Sequence, residues 1–392
     1  MRGGVRPGAV NGHQQVIVSA PAGVQVPLKF SGIQNSSYPN SYSSAPTPPD
    51  LPCTSYRERS HDITGGCGQW RLVNTAAGVY DATAVARLDT WIDQCYADDR
   101  EVIYTLYGTP AWIADTTINF TDQYNSQYAA NVTSDVGTNG SAALSTFVTW
   151  LIARYNGGGT RKIHYLELWN EPLFSTATSS YFTGTPVQLA QMAKGAYQAA
   201  KAADAGITVL SPGFAGMAGG LDPMVANYFG AAVGDGTFGK DWCDGVAYHP
   251  YDLGTTSHPF SPVATSLTNF LATVSASAPG KAVYCTEQGY LHNWTGVSQA
   301  ARAKVLKQSA LIQAALGVKM VQWYGAGYGY ASGSSVSPTY VADNLIGGPL
   351  TDPTIIEAFN WIAALSGVTI YEVGYLGKNI MYAETSAGHL TA

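Results

Sequence analysis

The chain has 392 residues, 46% of them hydrophobic and 12% charged, enough apolar material for a large core and one barrel-sized domain with extras. Lys and Arg total 20 against 26 acidic residues, a net charge of −6, so no basic stripe for phosphates exists and nucleic acid is not an expected partner. No apolar run is long enough to span a bilayer, which removes the membrane as a partner.

In chain order, residues 1–15 are a polar Gly/Pro lead without an apolar h-region, so a signal peptide is absent or already removed. Val16–Ser19 and Val24–Val26 read as short accessory strands. Eight core strands are expected near 28–33, 56–61, 101–107, 163–170, 207–211, 245–249, 282–287 and 319–324. Helical periodicity fills the intervals. One stripe carries Val85, Leu88, Ile92 and Cys95, and a second Leu144, Phe147, Val148, Leu151, Ile152 and Tyr155. A third has Val263, Leu267, Phe270, Leu271 and Val274.

Thr185-Pro186, Asp222-Pro223, Ser261-Pro262 and Asp352-Pro353 each place a capping residue before a proline at a helix start. Eight strands alternating with helices imply a parallel sheet closed into a (β/α)8 barrel over residues 28–366. Residues 1–27 and 367–392 are then an N-terminal lead and C-terminal accessory strands, expected to pair as a small β element.

Helix-to-strand connections are short, for example Asn156–Gly159 and Pro279-Gly280. Strand-to-helix connections are long and rich in Tyr, Ser and Asn, at 34–52, 113–140 and 325–350. Binding residues concentrate on such loops, all at the carboxyl end of a barrel. Stacked rings suit the apolar faces of sugars. Thr109-Pro110, Glu171-Pro172, Ser211-Pro212 and His249-Pro250 should mark where strands three to six stop, because proline offers no donor.

Five cysteines, Cys53, Cys67, Cys95, Cys243 and Cys285, show no metal-binding spacing. Cys285 reads as a core thiol. Cys53 and Cys67 are candidates to pair, although an expected strand between them holds them apart. Low charge with abundant Gly, Ser, Thr and Tyr reads as the composition of a secreted or periplasmic protein, and a monomer is expected.

The chemistry gathers on two strand tips. Tyr165-Leu166-Glu167-Leu168-Trp169-Asn170-Glu171-Pro172 is an apolar strand ending in a carboxylate. The residue before proline is driven to extended backbone, which would fix Glu171. Val283-Tyr284-Cys285-Thr286-Glu287-Gln288-Gly289 repeats the design. One such glutamate alone is more often a surface residue, but two at matching strand ends point to paired carboxylate catalysis.

These motifs resemble those of the clan A glycoside hydrolases, and most of all family 39, over about residues 28–366. The resemblance implies Glu171 as acid/base and Glu287 as nucleophile of a retaining O-glycoside hydrolase acting on an oligo- or polysaccharide, with no cofactor and no metal. It further implies that Arg59, of Arg59-Ser60-His61, lies under the nucleophile. Asn170, His61, Trp112, His249, Tyr251 and Trp323 would line the substrate. Gln288 departs from the family, where an aromatic often follows the nucleophile. Arg59 and Tyr251 are expected to keep Glu287 ionised, and the charge of Glu287 to keep Glu171 protonated. Glu167 and Glu384 read as ordinary, and His164 and His258 as structural.

Two other classes compete. One is a catalytically inactive carbohydrate-binding barrel, which loss of either tip glutamate would indicate; both are present. The other is a metal-dependent, sugar-isomerising barrel, for which His61 and His249 are too few ligands.

Overall fold

The computed structural model describes residues 14–35, 52–58, 68–115, 120–121, 127–128, 132–172, 182–215, 221–250, 261–288, 298–324, 353–376 and 380–392. Eight parallel strands close into a barrel: Ser31–Asn35, Ser55–Glu58, Glu101–Thr105, Ile163–Glu167, Thr208–Leu210, Gly245–His249, Ala282–Gln288 and Val321–Tyr324. Each pairs with its neighbours in sequence. The last pairs with the first through Val321 opposite Ser31, and the fifth meets the sixth at Leu210 and Gly245. The (β/α)8 expectation holds, and strand six falls on the expected bounds.

The second strand is described over Ser55–Glu58; residues 59–61 of its expected span lie outside the described residues.

Helices wrap the barrel through their apolar stripes. On Ala142–Asn156 the buried set is Leu144, Phe147, Val148, Leu151, Ile152 and Tyr155, as the periodicity demands. A residue of this kind cut back to Ala typically costs about 2–5 kcal/mol, because the close-packed surroundings only partly collapse. Helix Pro186–Ala203 begins with a full capping box: Thr185 Oγ1 accepts from the Gln188 N–H at 3.2 Å, and the Gln188 side chain returns a bond to the Thr185 N–H at 2.9 Å. Pro223 and Pro262 fall in the first turns of helices Leu221–Phe229 and Ser261–Ser277, and Pro353 opens Pro353–Ala363.

The amino-terminal ends of the strands are reached by tight turns. Gly280 and Gly317 sit at φ +79° and +82°, a conformation that costs glycine nothing and a side chain dearly. Pro110, Pro172, Pro212 and Pro250 all follow the carboxyl ends of strands three to six, and so share one mouth. Of the long loops expected, 34–52 and 325–350 lie largely outside the described residues, as do residues 116–119, 122–126 and 129–131 of 113–140.

A four-stranded antiparallel sheet joins the two ends of the chain. Gln14–Gln25 pairs with Thr369–Leu376, followed by Ile380–Thr385 and Gly388–Thr391. The two short strands expected near the start are one strand, interrupted by a register shift between Ser19 and Val24. Cys53, Cys95, Cys243 and Cys285 are buried, and Cys67, the expected partner of Cys53, lies outside the described residues. Cys285 is a core thiol, and burial pushes its pKa well up. No helix among the described residues is long and apolar enough to cross a membrane.

Candidate active site at the barrel mouth

Strand two delivers Arg57 to the carboxyl end of the barrel, where it is wholly buried. A buried guanidinium must be met by acceptors on every side, and Arg57 is. Its Nε donates to Glu167 Oε2 at 2.7 Å, Nη1 to Gln34 Oε1 at 2.7 Å and to Glu287 Oε2 at 2.6 Å, and Nη2 to Asn170 Oδ1 at 2.8 Å. Strands one, two, four and seven are thereby tied together at one residue.

Arg57 is thus the arginine that meets Glu287. Arg59, the arginine expected under the nucleophile, lies outside the described residues, as do His61 and Tyr251.

One expectation is corrected at Glu167. It is no ordinary glutamate but a fully buried carboxylate at the end of strand four. Besides Arg57 it accepts from Thr105 Oγ1 at 2.7 Å and Thr286 Oγ1 at 2.5 Å. Burial pushes its pKa up, but the Arg57 charge and the bonds from His249 and Thr286 prevail and hold it at about 2. The available signal was a charge inside the apolar run Ile163–Trp169, where an unpaired carboxylate would be prohibitive.

Glu171 follows where strand four leaves the barrel. Its N–H donates to Gly213 O at 2.9 Å, Gly213 N–H donates to Trp169 O at 2.8 Å, and Asn170 bridges to Gly213. Held this way, Glu171 adopts φ +44°. The extended conformation expected before Pro172 is therefore not found. Tertiary hydrogen bonds outweigh the local preference, at a backbone cost of about 1–3 kcal/mol. Glu171 keeps 15% of its side chain exposed, against 1% for Glu287.

His249, at the end of strand six, is fully buried between the carboxylates. Its Nδ1 lies 2.8 Å from Glu171 Oε1 and 3.9 Å from Glu287 Oε2, and its Nε2 lies 3.1 Å from Thr286 Oγ1 and 3.6 Å from Glu167 Oε1. Burial lowers its pKa and Arg57 opposes a second positive charge. The Glu287 charge and the bonds to Glu167 and Glu171 outweigh both, so the pKa is raised. Both ring nitrogens are engaged by protein groups rather than left for substrate.

Of the aromatic candidates, Trp323 is buried in the eighth strand, and Trp112 donates its indole N–H to Asn74 O at 3.0 Å. Arg57 holds the oxygens of both Asn170 and Gln34, leaving Asn170 Nδ2 and Gln34 Nε2 as buried donors without a partner among the described residues. Gln34 had no signal in the sequence. Gln288 is buried away from this cluster, accepting from Ser309 Oγ at 3.1 Å and Gln313 Nε2 at 2.7 Å, which suits an amide where an aromatic would find its polar neighbours unsatisfied.

Glu171, His249 and Glu287 bring one nitrogen or oxygen each within 4.8 Å of one another. Arg57 already neutralises Glu287 at 2.6 Å, and a cation there would sit against the guanidinium. The geometry suits proton transfer and nucleophilic attack better than metal binding.

No family model matches the chain, and no curated protein matches it. Solved structures do match in fold. A family 39 glycoside hydrolase from the gut symbiont Bacteroides cellulosilyticus WH2 is 18% identical, covering 92% of this chain and 71% of that one, with a TM-score of 0.57. The family 39 enzyme from Xanthomonas axonopodis pv. citri is 17% identical over 93% of this chain and 73% of its own, at 0.58. A glucosidase from Croceicoccus marinus is 14% identical over 96% and 75%, also at 0.58. The chain shares their barrel fold.

Proposed function

We propose that the protein is a retaining glycoside hydrolase, with Glu171 as acid/base and Glu287 as nucleophile. One observation carries the reading. Two carboxylates stand at the carboxyl ends of strands four and seven with an oxygen of each within 4.8 Å of the other. Retaining enzymes hold the pair about 5–5.5 Å apart, whereas inverting ones need about 6.5–9.5 Å to admit a water. The names of the structural neighbours and the shared fold support the same reaction class.

The environments divide the roles. Glu287 is buried and clamped by Arg57, which favours an ionised, immobile nucleophile. Glu171 is the more exposed and is joined to a group that exchanges protons. In the first step Glu287 attacks the anomeric carbon as the bond to the leaving oxygen breaks, and Glu171 gives that oxygen its proton. In the second, water attacks the same carbon, Glu171 takes the water proton, and the ester to Glu287 breaks. Asn170 Nδ2, without a partner among the described residues, supplies a donor for the sugar 2-hydroxyl, a contact that strengthens at the transition state.

The substrate class is an oligo- or polysaccharide, and the low charge of the chain accords with a secreted or periplasmic monomer. A panel of aryl glycosides and polysaccharides tests activity. Mass spectrometry after a 2-deoxy-2-fluoro glycoside with a good leaving group then reads the adduct. An adduct on Glu287 is expected. Sugar binding without turnover or adduct would favour an inactive carbohydrate-binding barrel.

A further inference from the structure

The hydrogen bonds behind Glu171 run in one direction only. Glu167 is an ionised carboxylate, held so by Arg57, and accepts bonds without donating any. Thr286 Oγ1, 2.5 Å from Glu167 Oε1, must therefore give its single proton to Glu167. Its lone pairs are left for His249 Nε2 at 3.1 Å, so Nε2 must carry a hydrogen. The ring atom turned to Glu171 Oε1 at 2.8 Å is then Nδ1, the variable position.

We propose that Thr286 and Glu167 are positioning residues for the acid/base carboxyl. They pin the Nε2–H of His249, so that Nδ1 faces Glu171 and carries the hydrogen bond that steadies the Glu171 carboxylate once its own proton has gone. This rests on the glycosidase reading above.

Charge bookkeeping agrees. Among the described residues, the charged or titratable groups around His249 are Arg57, Glu167, Glu171 and Glu287. With His249 an imidazolium and Glu171 protonated, two cations balance Glu167 and Glu287. In the first step Glu287 loses its charge to the new ester and Glu171 gains one. The site stays neutral, and the negative charge moves from 3.9 Å to 2.8 Å from the same Nδ1. The raised pKa of His249 fits this state. With Nδ1–H as the fixed tautomer of a neutral ring instead, Nε2 would face Thr286 without a proton and the chain of donors would break.

Three measurements test the proposal. Nitrogen-15 spectra of ring-labelled protein, with His249 assigned by its loss in His249→Asn, should show Nε2 protonated across the pH range of folding. A deprotonated Nε2 at any such pH overturns the proposal, whether or not the protein hydrolyses glycosides. Thr286→Val keeps the shape and removes the hydroxyl. On substrates with poor leaving groups it should lose about 10- to 100-fold in kcat, the worth of one hydrogen bond to a charged group, and its alkaline limb should move to lower pH. The first step on an acidic phenol leaving group should change little, and Thr286→Ser should restore the profile. A folded Thr286→Val with the wild-type pH profile would also overturn the proposal. If the wild type turns over no glycoside, the function above fails and the spectra alone decide the tautomer.

Discussion

Arg57 and Glu287 meet at 2.6 Å with both side chains closed off from solvent. Desolvating such a pair is costly, so its removal by halves is costlier still. Arg57→Met would leave Glu167 and Glu287 buried without their cation. The expected loss is about 3–5 kcal/mol in urea unfolding, with glycosidase activity abolished. Arg57→Lys should also fail, because a point charge cannot reach the four acceptors that the planar fork serves. Wild-type activity in the lysine variant would disprove that geometry.

The two tip glutamates should part company under azide. Glu171→Ala should retain much of its first-step rate on acidic phenol glycosides but lose about 10²–10⁴-fold on natural ones. Azide should rescue it and yield a glycosyl azide of retained configuration. Glu287→Ala should form no glycosyl-enzyme with any substrate. Rescue of Glu287→Ala with inverted product, and none for Glu171→Ala, exchanges the roles.

Gly213 is hemmed in by the site. A Cβ there would fall 2.6 Å from Glu167 Oε1 and 2.8 Å from His249 Cε1. Gly213→Ala should therefore push His249 off Glu171, costing about 1–3 kcal/mol of stability and a larger share of activity than of stability. Thermal melting and kcat, measured together, check this; unchanged kinetics would mean the ring has room to move.

Glu167 sets an acid limit on stability. Its folded pKa, about 2, lies below the ordinary value of 4.5. The group thus contributes stability in full above 4.5 and loses it as pH falls toward 2, on the order of a few kcal/mol. His249 runs the other way: its raised pKa adds stability below its ordinary value of 6.5, lost as pH rises through the folded value. Urea midpoints across pH 2–5 should fall less steeply in Glu167→Gln than in wild type, from a lower starting point.

Local pattern was enough for the barrel. Stripes such as Leu144–Tyr155 and caps such as Thr185-Pro186 depend on neighbours three or four positions away, and so they are visible in the chain. Glu171 and Glu287 were visible for the same reason, each closing a short apolar strand. Tertiary structure decided what surrounds them. Arg57 meets Glu287 across 230 positions of sequence and Glu167 across 110. The left-handed turn at Glu171 exists because Gly213, just beyond the fifth strand, accepts the Glu171 N–H and donates to Trp169 O, against the preference that Pro172 imposes. The proton on His249 Nε2 is assigned by a carboxylate and a hydroxyl from two other strands. A buried charge must find its partner wherever the fold delivers one, and that address is written only in three dimensions.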